Sequence, residues 1–159
     1  MIRLLMIAAC SIIVGCGSNE GVAARMSEAE SQAQVRKRVD EIWDSAGKRD
    51  FERLRSYHLY GPKFTEFKDG APRGDAVSGE QGEREFFSAL SDQKVVMNDL
   101  AVNVFGDVAI ATFHGDFSGV LGGQPIAAKV QATMVFANDH DQWKVVHEHF
   151  SPLGSPQQP

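Results

Sequence analysis

An α+β fold, with helices first and then a meander of long antiparallel strands, follows from three features of this 159-residue chain. Capped amphipathic stretches occupy the region from Ser27 to about Leu90. From Lys94 onward the chain turns to segments rich in Val, Ile and Phe. Those segments are separated by Gly106-Asp107, Gly122-Gly123 and Asn138-Asp139-His140-Asp141, all turn-forming. A run of helices followed by a run of strands is the α+β pattern.

The first helix is signalled by a capping box, Ser27 and Glu30. Val35, Val39, Ile42, Trp43 and Ala46 then share one helical stripe, and Gly47 is expected to close it. Asp50 caps a second, short helix with Phe51, Leu54 and Tyr57 or His58 facing inward. Gly61-Pro62 breaks that pattern, and Lys63 to Phe67 alternates as a short strand. Asp69 to Gly79 is glycine-rich and reads as a loop. Ser78 with Gln81 is expected to cap a third helix whose inner face is Phe86 or Phe87 and Leu90. Strands are expected at 94–105, 108–118, 124–137 and 142–150, the first two joined by a tight Gly-Asp hairpin. Ile110 lies on one side of its strand and Ala109, Ala111 and Phe113 on the other. Such a sheet needs two covers. Three helices supply one; the other face must close around a cavity, a partner subunit, or both.

The ends carry separate signals. Arg3 precedes an apolar run, Leu4 to Val14, that stops at Gly15-Cys16. This is the layout of a secretory signal, and it falls short of the roughly 20 residues of a membrane span. Ile13-Val14-Gly15-Cys16 resembles the lipobox of bacterial lipoproteins. That resemblance implies a signal peptide at 1–15, lipid attachment at Cys16 and work outside the cytoplasm. Gly17 after the anchor implies an outer-membrane address facing the periplasm, in the bacterial envelope. Residues 16–27 then form a linker, 28–152 the domain and 153–159 a frayed, proline-rich tail. The formal charge of −5 argues against nucleic acid as a partner. With Cys10 removed and Cys16 acylated, no thiol remains for a disulfide or for catalysis.

The order of elements, the opening helix with Trp43, the Asp50-Phe51 start and the ending Trp143-Lys144-Val145-Val146-His147-Glu148-His149-Phe150-Ser151 resemble the nuclear-transport-factor-2-like superfamily. Within it, the chain is similar to the SnoaL-like or ketosteroid-isomerase-like group. The resemblance implies a cone: three helices wrapped by a strongly curved antiparallel sheet, open at one end as a pocket. It also implies a homodimer through the outer sheet face. It does not imply one activity, because this fold hosts enzymes and scaffolds alike.

Several residues could carry chemistry. His147 and His149 share one strand face, with Trp143 and Val145 on it as well, while Glu148 points the other way. They suit acid/base work or metal ligation, or one of them simply packs; a bulge would exchange the faces. A metal would lack an obvious third ligand, His114 and Asp116 being the best available. Counting back from Gly106-Asp107 sets Asp99 opposite His114, a carboxylate beside an imidazole or a solvated cross-strand ion pair. Trp43, Tyr57, Phe64, Phe87, Lys129 and Thr133 are the expected ligand contacts. Ketosteroid-isomerase chemistry uses a carboxylate just after helix two, where this chain reads His58-Leu59-Tyr60-Gly61-Pro62-Lys63-Phe64. No nucleophile elbow, phosphate loop or Cys/His cluster is present, so no cofactor and no metal are expected. The preferred function is binding of a small, mostly apolar molecule in the cone. The alternatives are an isomerase, dehydratase or hydrolase using His147 or His149 with Asp99 and His114, and a dimeric scaffold without a ligand.

Overall fold

The computed structural model of the protein describes residues 26–154. The expected leader at 1–15, Cys16, most of the linker and the end of the tail lie outside those residues. Among the described residues no helix is long and apolar enough to cross a membrane.

Helix α1 (Glu28–Lys48) starts at the expected capping box, with Ser27 and Glu30 each bonding the other's backbone. It runs past Gly47 and ends at Arg49, a left-handed residue with φ 57°. Its backbone N–H closes the helix onto the Ala46 carbonyl, and its guanidinium donates to the carbonyls of Phe87 (3.2 Å) and Leu90 (2.6 Å). The end of α1 is thus tied to the end of the third helix. Asp50 caps α2 (Phe51–Ser56) by accepting from the Arg53 N–H. Strand β1 (Thr65–Lys68) follows.

Helix α3 (Ala76–Ala89) begins earlier than expected. Its cap is Asp75, whose carboxylate accepts from the N–H groups of Val77 and Ser78, and Ser78 completes the box from inside the helix. Gly79 lets α3 settle on β1: a Cβ there would stand 2.9 Å from Phe64 Cε1. Leu90, expected on the helix face, is instead its C-cap and the first residue of β2 (Leu90–Phe105).

Strands β3 (Val108–Leu121), β4 (Gln124–Asp139) and β5 (Gln142–Pro152) complete one curved, open sheet in the order β1-β5-β4-β3-β2. The four long strands pair antiparallel; β1 pairs parallel with β5, so the sheet is mixed.

Two bulges decide which side chains face inward. Opposite the step from Val135 to Phe136, β5 spends two residues, Val145 to His147, so Val146 is extra. Before it Trp143 and Val145 are buried; after it Glu148 takes the inner face and His147 and His149 the outer. The expectation that the two histidines share a face with Trp143 and Val145 is corrected by this one residue. A second irregularity spans Asn98 to Ala101 in β2 and carries Asp99 at φ 50°.

The closed end of the cone is the core. Val35, Val39 and Ile42 of α1 meet Ala109, Ala111, Met134, Phe136, Trp143 and Val145 of the sheet, all at most 5% exposed. Each large apolar side chain buried this way contributes about 1.5–3 kcal/mol.

Candidate functional site

Toward the open end the helices and sheet separate, leaving a cavity of about 410 Å³. Pockets for small molecules begin at roughly 300 Å³. Its walls are apolar: Ile42 and Trp43 of α1, Phe86 and Phe87 of α3, and Phe113, Phe117, Val130 and Phe150 of the sheet. Trp43 organises the wall, meeting Phe87, Phe113 and Phe150 edge-on at 6.4, 6.4 and 6.0 Å. Its indole Nε1 is buried and finds no protein acceptor.

One side of the cavity is polar. Glu83 of α3, Glu148 of β5, and Glu66 and Lys68 of β1 line it. Behind them lies His58, wholly buried at its side chain, whose Nε2 stands 3.1 Å from Glu148 Oε1 and 3.7 Å from Glu83 Oε1. His58 Nδ1 donates to the Leu54 carbonyl at 2.9 Å. The Tyr60 hydroxyl donates to Glu83 Oε2 at 2.7 Å, and its ring stacks on His58. Lys68 Nζ pairs with Glu66 at 2.7 Å. The second oxygen of Glu148 is buried without a partner.

Burial and charge oppose each other here. Burial favours a neutral His58, but Glu148, Glu83 and the Leu54 carbonyl outweigh it and raise the pKa from 6.5 to about 9. Burial alone would raise Glu148; the charges of His58 and Lys68 reverse that and hold it below the usual range, hence ionised. Glu83 goes the other way, pushed up by burial and by the charge of Glu148. Burial and the neighbouring Glu83 push Tyr60 up, so it stays a phenol. Lys68 remains an ammonium, because the carboxylates outweigh its burial. The site therefore holds a buried ion pair, His58 and Glu148, beside Glu83, a carboxylate whose pKa is raised by burial and by the charge of Glu148.

Of the expected ligand contacts, Trp43 and Phe87 line the cavity. Tyr57 and Phe64 are buried in the core at 6% and 2% exposure, outside the lining. Lys129 and Thr133 lie on the outer face, where Lys129 pairs with Asp116.

The expected catalytic candidates also fall outside the cone. Asp99 and His114 do meet, at 2.8 Å, although Asn98 rather than Asp99 is the register partner of His114; the bulged Asp99 reaches across. They line a shallow outer depression with Thr133 and His149. His147 shares a hydrogen bond with Thr65 at 2.8 Å, and Phe67 sits between the rings of His147 and His149.

The inner cluster was hidden by its dispersal: His58 and Glu148 are 90 positions apart. One signal was available. Glu83 stands four residues from both Gly79 and Phe87, on the buried stripe of α3, an uneconomical place for a lone carboxylate. The segment after α2 carries no acid, and the cavity's carboxylates Glu83 and Glu148 come from α3 and β5.

The fold and sequence have relatives. A candidate dehydratase of the nuclear-transport-factor-2-like family from Streptomyces avermitilis superposes with a TM-score of 0.74 at 22% identity, covering 81% of this chain and 100% of that one. A nuclear-transport-factor-2-like superfamily protein from Salmonella enterica gives 0.73 at 18% identity, covering 82% and 96%. The S. rosetta CaMKII hub gives 0.63 at 21%, covering 77% and 96%. No curated protein matches the sequence. The family model of the SnoaL-like domain matches residues 35–155. With its cone, its open cavity and that match, the chain belongs to the SnoaL-like domain family.

Proposed function

We propose that this protein is an envelope lipoprotein that binds a small, mostly apolar molecule in its cone. One observation carries the binding reading. An apolar-walled cavity of about 410 Å³ is lined by two residues, Trp43 and Glu148, that each carry a buried polar atom without a protein partner, Nε1 and Oε2. Buried polar groups are normally satisfied, and each one left unpaired costs about 1–3 kcal/mol. A ligand with an apolar body and one polar end would satisfy them. Native mass spectrometry and thermal shift over a metabolite panel test this. Wild type should retain or gain a ligand, and Val130→Trp, which plugs the cavity wall, should lose it while staying folded. Equal binding by Val130→Trp would move the site elsewhere.

The anchor rests on the apolar leader ending at Gly15-Cys16. Mass spectrometry of the native protein should find Cys16 acylated at the mature N-terminus; an unmodified residue 16 would remove the lipoprotein reading. A homodimer through the outer face is supported by the exposed apolar Phe67 and Val96 there.

A second reading has its own support. Glu83 lines the cavity, is raised in pKa and accepts from Tyr60, as a proton-transfer residue of an isomerase- or dehydratase-type reaction would. Turnover with a bell-shaped pH profile, abolished by Glu83→Gln with the fold intact, would establish it.

A further inference from the structure

We propose that the polar end of the cavity is a site for a divalent transition-metal ion such as Zn²⁺, ligated by His58 Nε2 and one carboxylate oxygen each from Glu83 and Glu148. The three ligand atoms lie within 4.8 Å of one another. Nε2 is 3.1 Å from Glu148 Oε1 and 3.7 Å from Glu83 Oε1. Ligands around an ion at about 2.0–2.2 Å stand roughly 3–3.6 Å apart, close to the two His58–carboxylate distances, and the two carboxylate oxygens start within 4.8 Å of each other.

The surroundings fit ligation. The Nδ1–H of His58 is committed to the Leu54 carbonyl, so in the neutral ring the lone pair is on Nε2, the nitrogen facing the carboxylates. Metal-binding histidines are oriented in this way by a carbonyl behind them. Glu83 is held likewise by the Tyr60 hydroxyl. Glu148 adds a missing partner to this geometry: it is 2% exposed and one of its oxygens bonds nothing.

Charge gives the same answer. Four carboxylates, Glu66, Asp69, Glu83 and Glu148, and one permanent cation, Lys68, line the cavity. A divalent ion bound to a neutral His58 would offset most of that negative excess. Glu83 and Glu148 line the cavity, so the ion has a route in and its open positions face a bound molecule. One imidazole with two carboxylates suits zinc, manganese or ferrous iron, whereas calcium collects six to eight oxygens.

The test uses the full chain in mild detergent, stripped with a chelator, dialysed against Zn²⁺ and assayed for bound metal, with Co²⁺ absorption reporting the ligand field. Wild type should bind one ion per chain, with a rise in melting temperature. His140→Gln, on a surface turn beside Asp139, should bind identically. Glu83→Gln and His58→Gln should each weaken binding by about 100-fold or more, with circular dichroism confirming the fold. Glu83 is only part-buried on a helix, so its variant protects the test if His58→Gln unfolds. Sub-stoichiometric binding by wild type, or unchanged binding by Glu83→Gln, would overturn the proposal. Zn²⁺ binding is read directly, so its failure leaves the retention of an apolar ligand, and its loss in Val130→Trp, untouched.

Discussion

Two imidazole–carboxylate pairs lie on opposite sides of this sheet, and the closer one is the less consequential. Outside, Asp99 and His114 meet at 2.8 Å with their side chains 59% and 47% exposed. Inside, His58 and Glu148 meet at 3.1 Å with theirs 0% and 2% exposed. Water screens the outer pair, so its attraction is small and balanced by the entropy of holding two side chains still. The inner pair has no such screening. Its charges must satisfy each other, and they do so strongly enough to reverse the effect of burial on both groups. Environment, more than distance, makes a charged pair a site.

The largest effect should come from breaking the inner pair on one side. Glu148→Ala leaves a charged imidazole buried, and urea denaturation should show a loss of about 3–5 kcal/mol. A loss like that of an ordinary surface substitution would mean that the pair is not buried in solution.

Next is pH. The folded pKa of His58, about 9, lies above its ordinary 6.5. Its stabilisation is therefore complete below pH 6.5 and disappears as pH rises through about 9. With chelator present, unfolding free energy should fall by about 3 kcal/mol across that window. His58→Gln should flatten the slope; an unchanged slope would assign it to another group.

Removing both charges together should do less harm. A His58→Leu, Glu148→Leu double variant should lie within about 2 kcal/mol of wild type, because no unpaired charge is left behind. If its cost equals the sum of the two single variants, the pair has no coupling.

The smallest effect belongs outside. Asp99→Asn keeps a residue that tolerates φ 50° and should leave the urea midpoint unchanged. A clear drop would show that the outer depression is built more firmly than its exposure implies.

Much of this architecture is legible in the residues. The capping box at Ser27, the stripe from Val35 to Ala46 and the Gly106-Asp107 hairpin are local signals, and they appear in the structure where they were read. Ser78 signals the start of α3 in the sequence because it does belong to the capping box, as its inner member; Asp75 is the cap itself. Trp43 and Phe87 were legible as cavity walls because each sits on the apolar stripe of its helix. His58, Glu83 and Glu148 were not, because their meeting depends on α3, β5 and the segment after α2 arriving at one point.

The order of helices and strands, the caps, the turns and the family are written in short-range patterns, because propensity and periodicity act over a few residues. Which face each strand residue takes, and which polar groups share the interior, depended on folding. One extra residue at Val146 turns Glu148 inward and His147 and His149 outward. Bulges answer to packing across the whole sheet, and burial then sets the charge state of every group it encloses.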